Sequence, residues 1–194
     1  MFSENDTMKM YMQYISQYPL ISPQKEIELA KQIKEGNESA QLQLIRSNLR
    51  LVVKIAHDFK GLGVPLLDLI SEGNLGLMRA VEKFDPSKGA KLSSYAAWWI
   101  KQAMRRSLAN HSRTIRVPIQ SASKMNRIQS ARIRLRETLD REPSHAEIAE
   151  TVNLTERTVA GLKMGKVTTI SLNDPIAQGE ENEIKDVLSD ESTD

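Results

Sequence analysis

The chain has 194 residues, a length that suits roughly one large domain or two to three small ones. It contains no cysteine, which excludes disulfides, cysteine-ligated zinc, iron–sulfur clusters and a thiol nucleophile. The 27 Lys and Arg nearly balance the 25 Asp and Glu, so the net charge of +2 does not by itself indicate a polyanionic partner. No apolar run approaches the roughly 20 residues that cross a membrane, and the lack of cysteine fits a reducing compartment, so we expect a cytoplasmic protein without membrane contacts.

Most segments of the sequence have apolar residues at helical spacing, and none alternates like a β-strand. The first clear helix start is Pro23 after the capping residue Ser22, and glycine at position 36 ends that helix. Longer helices are predicted over 38–59, 66–84, 93–110 and 121–139, separated by glycine, proline and polar turns. Ser144 and Glu147 form a capping box before a helix over 145–152, and a last helix is predicted over 156–164.

The same spacing predicts which side chains of these helices face a core. They are Ile27, Ala30, Ile33, Leu42, Ile45, Leu49, Val52, Val53, Ala56, Leu67, Ile70, Leu77 and Val81. After Thr168 the helical spacing ends in an acidic stretch. The sequence therefore predicts an all-α fold, in which a multi-helix bundle (1–116) precedes a small three-helix domain (117–167) and an extended acidic linker (168–194).

Charge is distributed unevenly along the chain. Positions 83–116 hold eight Lys and Arg with Asp85 as the one acid, and 121–136 hold five more with none. Positions 174–194 hold eight acids against Lys185 alone. A basic middle suits a polyanion such as nucleic acid, although a solvated helix face would have the same composition.

The segment 92–107 combines aromatic and basic residues. It holds both tryptophans of the chain, and at helical spacing Tyr95, Trp98 and Gln102 share one broad face with Arg105. Flat rings beside cations suit unpaired nucleic acid, because the rings stack on bases while the cations hold phosphates. The alternative is that Tyr95 and Trp98 are core residues with Trp99 partly buried.

At this point several motifs, in order along the chain, resemble the sigma-70 family of bacterial RNA polymerase sigma factors. The segments that carry the resemblance are 6–12 (DTMKMYM), 48–53 (NLRLVV), 68–78 (DLISEGNLGLM), 83–85 (KFD), 94–102 (SYAAWWIKQ), 113–118 (RTIRVP) and 169–176 (TISLNDPI). The resemblance implies a non-enzymatic subunit without a cofactor, which directs core polymerase to promoters, melts the minus-ten element and binds the non-template single strand. It also implies promoter DNA and core polymerase as partners, and it is compatible with an anti-sigma factor as a further partner.

The resemblance assigns DNA contacts residue by residue. A flipped adenine would be held by Phe84, Asp85, Lys88 and Tyr95, and a second base pocket would be lined by Asn48, Leu51 and Ser93. At the upstream fork, the DNA would contact Trp98 and Trp99, and the last base pair would face Gln102 and Arg105. Phosphates would be bound by Arg106, Arg113 and Arg116, and the remaining candidate DNA contact is Gln120. Unstacking a base costs a few kcal/mol, which such pockets offset by stacking and edge contacts.

The chain departs from the family at several of these positions. Housekeeping members carry aromatics where this chain has Ala90 and Leu92, so melting by stacking is expected to be weaker. Arg105 replaces a small hydroxyl residue and favours guanine. Gln120 and Ser123 replace the His and Glu that read an extended minus-ten motif. Because the acidic N-terminal domain, the long insertion and the C-terminal minus-35 domain do not appear, the resemblance points to an alternative sigma factor or a truncated chain.

The resemblance also implies contacts with the polymerase. By similarity, Asp68, Glu72, Asn74 and Met78 lie on the helix that docks on a coiled coil in the clamp of the largest subunit. Acids and a methionine on one helix suit a basic helical partner. In the acidic linker, a finger with Glu180, Glu181 and Glu183 would mimic template phosphates.

Two other functions remain open on the sequence. Segment 147–162 resembles a helix-turn-helix, which would make the protein a stand-alone duplex-binding regulator, but its second helix lacks a basic face. For an enzyme, His57, His111 and His145 have no metal-ligand spacing, and no glycine-rich phosphate loop occurs.

Overall fold

The computed structural model describes residues 4–164, 169–176 and 182–188, and the regular structure in these ranges is helical. The chain divides into two compact units, Met1–Ile119 and Gln120–Asp194. The α-helices are α1 (Glu4–Ser16), α2 (Pro23–Lys34), α3 (Glu38–His57), α4 (Leu66–Lys83), α5 (Leu92–His111), α6 (Ile119–Leu139), α7 (His145–Val152) and α8 (Glu156–Met164). The predicted all-α fold is confirmed for the described residues. Within those ranges, no helix is both long and apolar enough to cross a membrane.

Local capping explains where several helices begin. Ser22 accepts a hydrogen bond from the backbone N–H of Lys25, and Pro23 occupies the first turn of α2. Asn37 accepts from Ala40 N at the start of α3. Ser144 and Glu147 form the reciprocal capping box that the sequence predicts for α7. These starts follow from side-chain chemistry that is visible in the sequence.

Helix α4 packs closely against α5 and α3 in the first unit because two of its positions are glycine. A Cβ built on Gly76 would lie 2.8 Å from the backbone oxygen of Trp99, and one on Gly73 would lie 2.6 Å from Val52 Cγ1. Neither distance is compatible with a side chain, so glycine sets the separation of the helices. The core around this contact is built from fully buried residues of α3, α4 and α5: Leu44, Val52, Leu69, Leu77, Leu92, Ile100 and Met104.

Some predictions of inward-facing residues are wrong. Leu42 is 50% exposed, because it lies about 200° around α3 from the buried Ala40 and Leu44. Ile27 is also exposed, and Leu29, two residues later, is buried in the core in its place. Apolar spacing alone thus predicts a core position for Leu42 and Ile27, although each lies on the solvent-facing side of its helix.

The second unit has its own small core. Ala131 of α6 packs with Ile148, Val152 and Val159 from the two shorter helices. Arg127 joins α6 to α7, since its guanidinium donates to the carbonyl oxygen of Val152 at 2.8 Å. The described parts of 169–188 fold back on themselves, and backbone hydrogen bonds join 172 to 185, 174 to 184 and 176 to 182.

Candidate nucleic-acid interface

Four aromatic rings form a continuous row on the first unit. The ring centroids are separated by 5.9 Å from Phe84 to Tyr95, 6.3 Å from Tyr95 to Trp99 and 5.1 Å from Trp99 to Trp98. The row runs from the core to the surface, because Phe84 is buried and Trp98 is 60% exposed. The two tryptophans meet edge to face, so Trp98 can present a ring face to solvent while Trp99 supports it.

Trp99 is a supporting residue in this row. It is half-buried, and the Lys83 ammonium lies 5.0 Å from its ring centroid in a cation–π contact. Its indole Nε1 is buried without a hydrogen-bond partner among the described residues. The alternative that Trp98 is a core residue is therefore wrong, since Trp98 is 60% exposed, whereas Tyr95 and Trp99 pack against the core.

The turn before α5 is organised by Asp85. This residue precedes a short 3-10 turn, Pro86–Lys88, and its Oδ1 accepts from the backbone N–H and the hydroxyl of Ser87. The same oxygen accepts from Lys34 Nζ at 2.9 Å. These donors, Lys34 first, lower the pKa of the Asp85 carboxyl to about 2, so it is ionised at neutral pH.

Most of the predicted DNA-contacting residues lie at the surface. The exposed ones are Lys88, Ser93, Trp98, Gln102, Arg105, Arg106, Arg113, Arg116 and Gln120. All but Gln120 belong to the first unit, where α5 carries five of them. Arg116 is held in place by a 2.7 Å hydrogen bond to the Asn110 side chain, which orients its guanidinium.

The residues predicted for the second base pocket have structural contacts as well. Asn48 is half-buried, and its amide donates to the carbonyl oxygen of Leu44 one turn earlier in α3. Leu51 is half-buried and packs against the core of the first unit. Ser93 stands exposed in the first turn of α5. For Asn48 and Leu51 the structure thus provides a packing role independent of DNA.

An open groove lies between α4 and the C-terminal part of α5. It has a volume of about 310 Å³ and is lined by Val64, Asp68, Ser71, Glu72, Leu75, Ser107 and His111. Leu75 is 48% exposed, although Leu77, two residues later in α4, is fully buried. Met78 is exposed one turn further along α4. Acids beside exposed apolar side chains suit a basic, amphipathic partner.

Asn74 does not line this groove. Its amide donates to the Tyr11 hydroxyl at 3.1 Å, which ties α4 to α1, and its Oδ1 is buried without a partner among the described residues. Burial raises the pKa of the Tyr11 hydroxyl. The structure therefore brings Asp68 and Glu72 together and places Asn74 in a contact between helices.

Only part of the predicted acidic finger can be described. Glu180 and Glu181 lie outside the described residues. Glu183 pairs with Lys185 and forms an isolated backbone bridge with Pro175. Among the described residues, no group of three or more His, Asp or Glu side chains is placed to hold a metal ion.

Sequence reasoning missed three residues that shape the interface: Lys34, Lys83 and Ser87. Lys34 is 51 positions from Asp85, so no local pattern signals their ion pair. Lys83 was counted as a cation, but its position over the Trp99 ring depends on the packing of α4 against α5. Ser87 follows two residues after an aspartate, and that spacing is a recognisable turn signal.

Comparison with known proteins identifies the family. Family models match sigma-70 factor region 1.2 over residues 6–39, sigma-70 region 2 over 44–114 and sigma-70 region 3 over 123–194. Two proteins described as RNA polymerase sigma factor SigA, from Clostridium acetobutylicum and from a Bacillus species, are each 42% identical over 187 residues. That alignment covers 96% of this chain and 50% of either relative, so the chain spans about half the length of the curated relatives that it matches. The chain belongs to the sigma-70 family.

Proposed function

We propose that this chain is the promoter-recognising part of a transcription initiation sigma factor. It binds core RNA polymerase, melts the minus-ten element and holds the non-template single strand. In this proposal, 1–116 carries core binding and minus-ten recognition, 117–167 is the three-helix domain and 168–194 is the finger and linker. The proposal assigns no catalytic step and no cofactor to the chain.

The observation that carries the proposal is the exposed end of the aromatic row. A tryptophan that leaves 60% of its surface in water forgoes much of the free energy that burying its ring would provide. Trp98 nevertheless packs edge to face on Trp99, next to the exposed Gln102 and Arg105. A ring in this environment suits stacking on a base at the end of an opened duplex, worth about 1–3 kcal/mol per base.

The cations around the row suit the phosphates of the same strand. Arg106, Arg113 and Arg116 are exposed, and the stretch 83–116 contains a single acid. Their contribution is sequence-independent and weakens with salt. Base selection is assigned to Tyr95, which lies between the buried and exposed ends of the row, and to Asp85, the residue that follows Phe84 in the chain.

The groove on α4 is proposed as the contact with core polymerase. The supporting observation is that Asp68 and Glu72 line a groove beside the exposed Leu75, a combination that fits a basic helix such as a coiled coil in the clamp. Reversing both charges, Asp68→Lys with Glu72→Lys, should weaken core binding by tenfold or more while the helical circular dichroism stays unchanged.

A matched control for charge reversal is Glu82→Lys, an exposed acid further along the same helix and outside the groove. Pull-down with core polymerase measures all three proteins. Normal core binding by the doubly reversed protein would reject the groove as the contact. Tight binding of plain duplex by the chain without polymerase would instead support the stand-alone regulator.

A further inference from the structure

The loop between α4 and α5 is attached to α2 at both of its ends. This loop comprises residues 84–91. At its first end Lys34 Nζ lies 2.9 Å from Asp85 Oδ1, and directly after its last residue the backbone N–H of Leu92 interacts with the Glu26 carboxylate. The second contact matters because Lys91, the residue before α5, provides no side-chain cap of its own.

The hydrogen bonds of Asp85 are distributed unequally between its two oxygens. Oδ1 accepts from Lys34 Nζ, from the Ser87 hydroxyl at 2.9 Å and from Ser87 N at 3.2 Å. Oδ2 accepts from no group in the described part of the chain. An ionised carboxylate oxygen can only accept, so Oδ2 suits a donor such as the exocyclic amine of an unpaired base.

We propose that Lys34 is a positioning residue for base capture: by holding Asp85 Oδ1, it directs Oδ2 towards the exocyclic amine of the captured base. This inference rests on the proposed function, in which Asp85 and Tyr95 hold the flipped adenine. Without Lys34, the carboxylate keeps its contacts with Ser87 but loses the contact that joins it to α2. Oδ2 is then no longer fixed, and the amine is recognised less well.

The charge of Asp85 does not explain the effect. Losing Lys34 raises the carboxyl pKa from about 2 towards its ordinary value of 3.8, which is still far below neutral pH. Asp85 therefore stays ionised in both proteins, and the acceptor is present in both. What changes is the direction of the oxygen, so the loss should concern one hydrogen bond and should not vary with pH near neutrality.

The test uses the chain assembled with core polymerase and two single-stranded minus-ten oligonucleotides. One carries adenine at the flipped position, and the other carries purine, which lacks only the 6-amino group. The native complex should prefer adenine by about tenfold or more, as expected for a hydrogen bond to a charged acceptor. Lys34→Met should reduce this preference to about threefold or less, because methionine has no donor for Oδ1. Lys34→Arg should retain the preference, because its guanidinium still donates to Oδ1.

Lys31→Met is the matched control. It removes the same charge from an exposed position one turn earlier in α2, where no carboxylate partner lies within ion-pair distance among the described residues. Its preference for adenine should equal that of the native complex. Lys34 is itself more than half exposed, so folding should survive its loss.

The outcomes separate the two levels of the proposal. A native complex that binds both oligonucleotides equally rejects base capture at Asp85, and the role of Lys34 with it. An undiminished preference in Lys34→Met rejects the role of Lys34 alone. If Lys34→Met weakens both oligonucleotides by the same factor, Lys34 acts as a general cation or as a structural residue, and the inference is overturned.

Discussion

Truncating the two tryptophans one at a time should separate promoter opening from protein stability. Replacing a fully buried tryptophan with alanine costs about 3–5 kcal/mol. Trp98 is 60% exposed, so Trp98→Ala should lower the free energy of unfolding by no more than about 2 kcal/mol. Trp99→Ala should cost more, because this ring contacts Trp98, Tyr95 and Lys83 and packs against the core.

Trp98→Ala should impair promoter opening strongly although it has the smaller effect on the free energy of unfolding. Trp98→Ala removes a stacking surface worth about 1–3 kcal/mol, which corresponds to roughly 5- to 150-fold in opening. The assay compares open-complex formation on duplex promoter with binding to a fork whose minus-ten element is already unpaired. Urea unfolding followed by circular dichroism supplies the stability. Equal losses on duplex and fork, or a stability loss for Trp98→Ala as large as for Trp99→Ala, would show that Trp98 is a structural residue.

Two further predictions concern the two units separately. Gly76→Ala should destabilise the first unit by about 1–3 kcal/mol, because the new Cβ would lie 2.8 Å from the Trp99 backbone oxygen; Gly161→Ala, with open space around it, should not. Tryptophan fluorescence during urea unfolding measures Gly76→Ala, whereas circular dichroism is needed for Gly161→Ala. Arg141 lowers the pKa of Glu147 from its ordinary 4.5 to about 2. The ionised carboxylate therefore stabilises the fold fully above pH 4.5, and this stability is lost as the pH falls towards 2. Thermal unfolding across that range should show a smaller acid-induced loss in Glu147→Gln.

Local chemistry explains which parts of the fold were predictable. Helices α7 and α8 begin and end where capping and periodicity place them. Ser144 and Thr155 each accept a hydrogen bond from a backbone N–H only three residues later, so these caps are visible in the sequence. Core membership was less predictable. Leu42 and Ile27 are apolar at plausible spacings, yet both are exposed, because a shift of one or two positions moves a side chain to another face of its helix.

The candidate interface shows the same division. The aromatic and basic residues of α5 were visible as a composition within 16 positions, so Trp98 and Arg105 could be named from the sequence. The contacts that orient the site span long distances along the chain: 51 positions separate Lys34 from Asp85, and 63 separate Tyr11 from Asn74. Such pairs leave no periodic or local signal, and only the packing of α1, α2 and α4 brings them together.

The most direct test of the account is a titration of the assembled complex with labelled minus-ten DNA in two forms, single strand and closed duplex of the same sequence. We predict tighter binding of the single strand, because closed duplex offers its phosphates to the arginines but hides its base faces from Tyr95 and Trp98. We further predict that replacing the flipped adenine weakens the single strand selectively, and that Tyr95→Ala flattens this preference while Arg116→Ala weakens all sequences alike. Equal affinity for single strand and duplex, without any effect of the adenine, would contradict base capture and leave only a non-specific electrostatic surface.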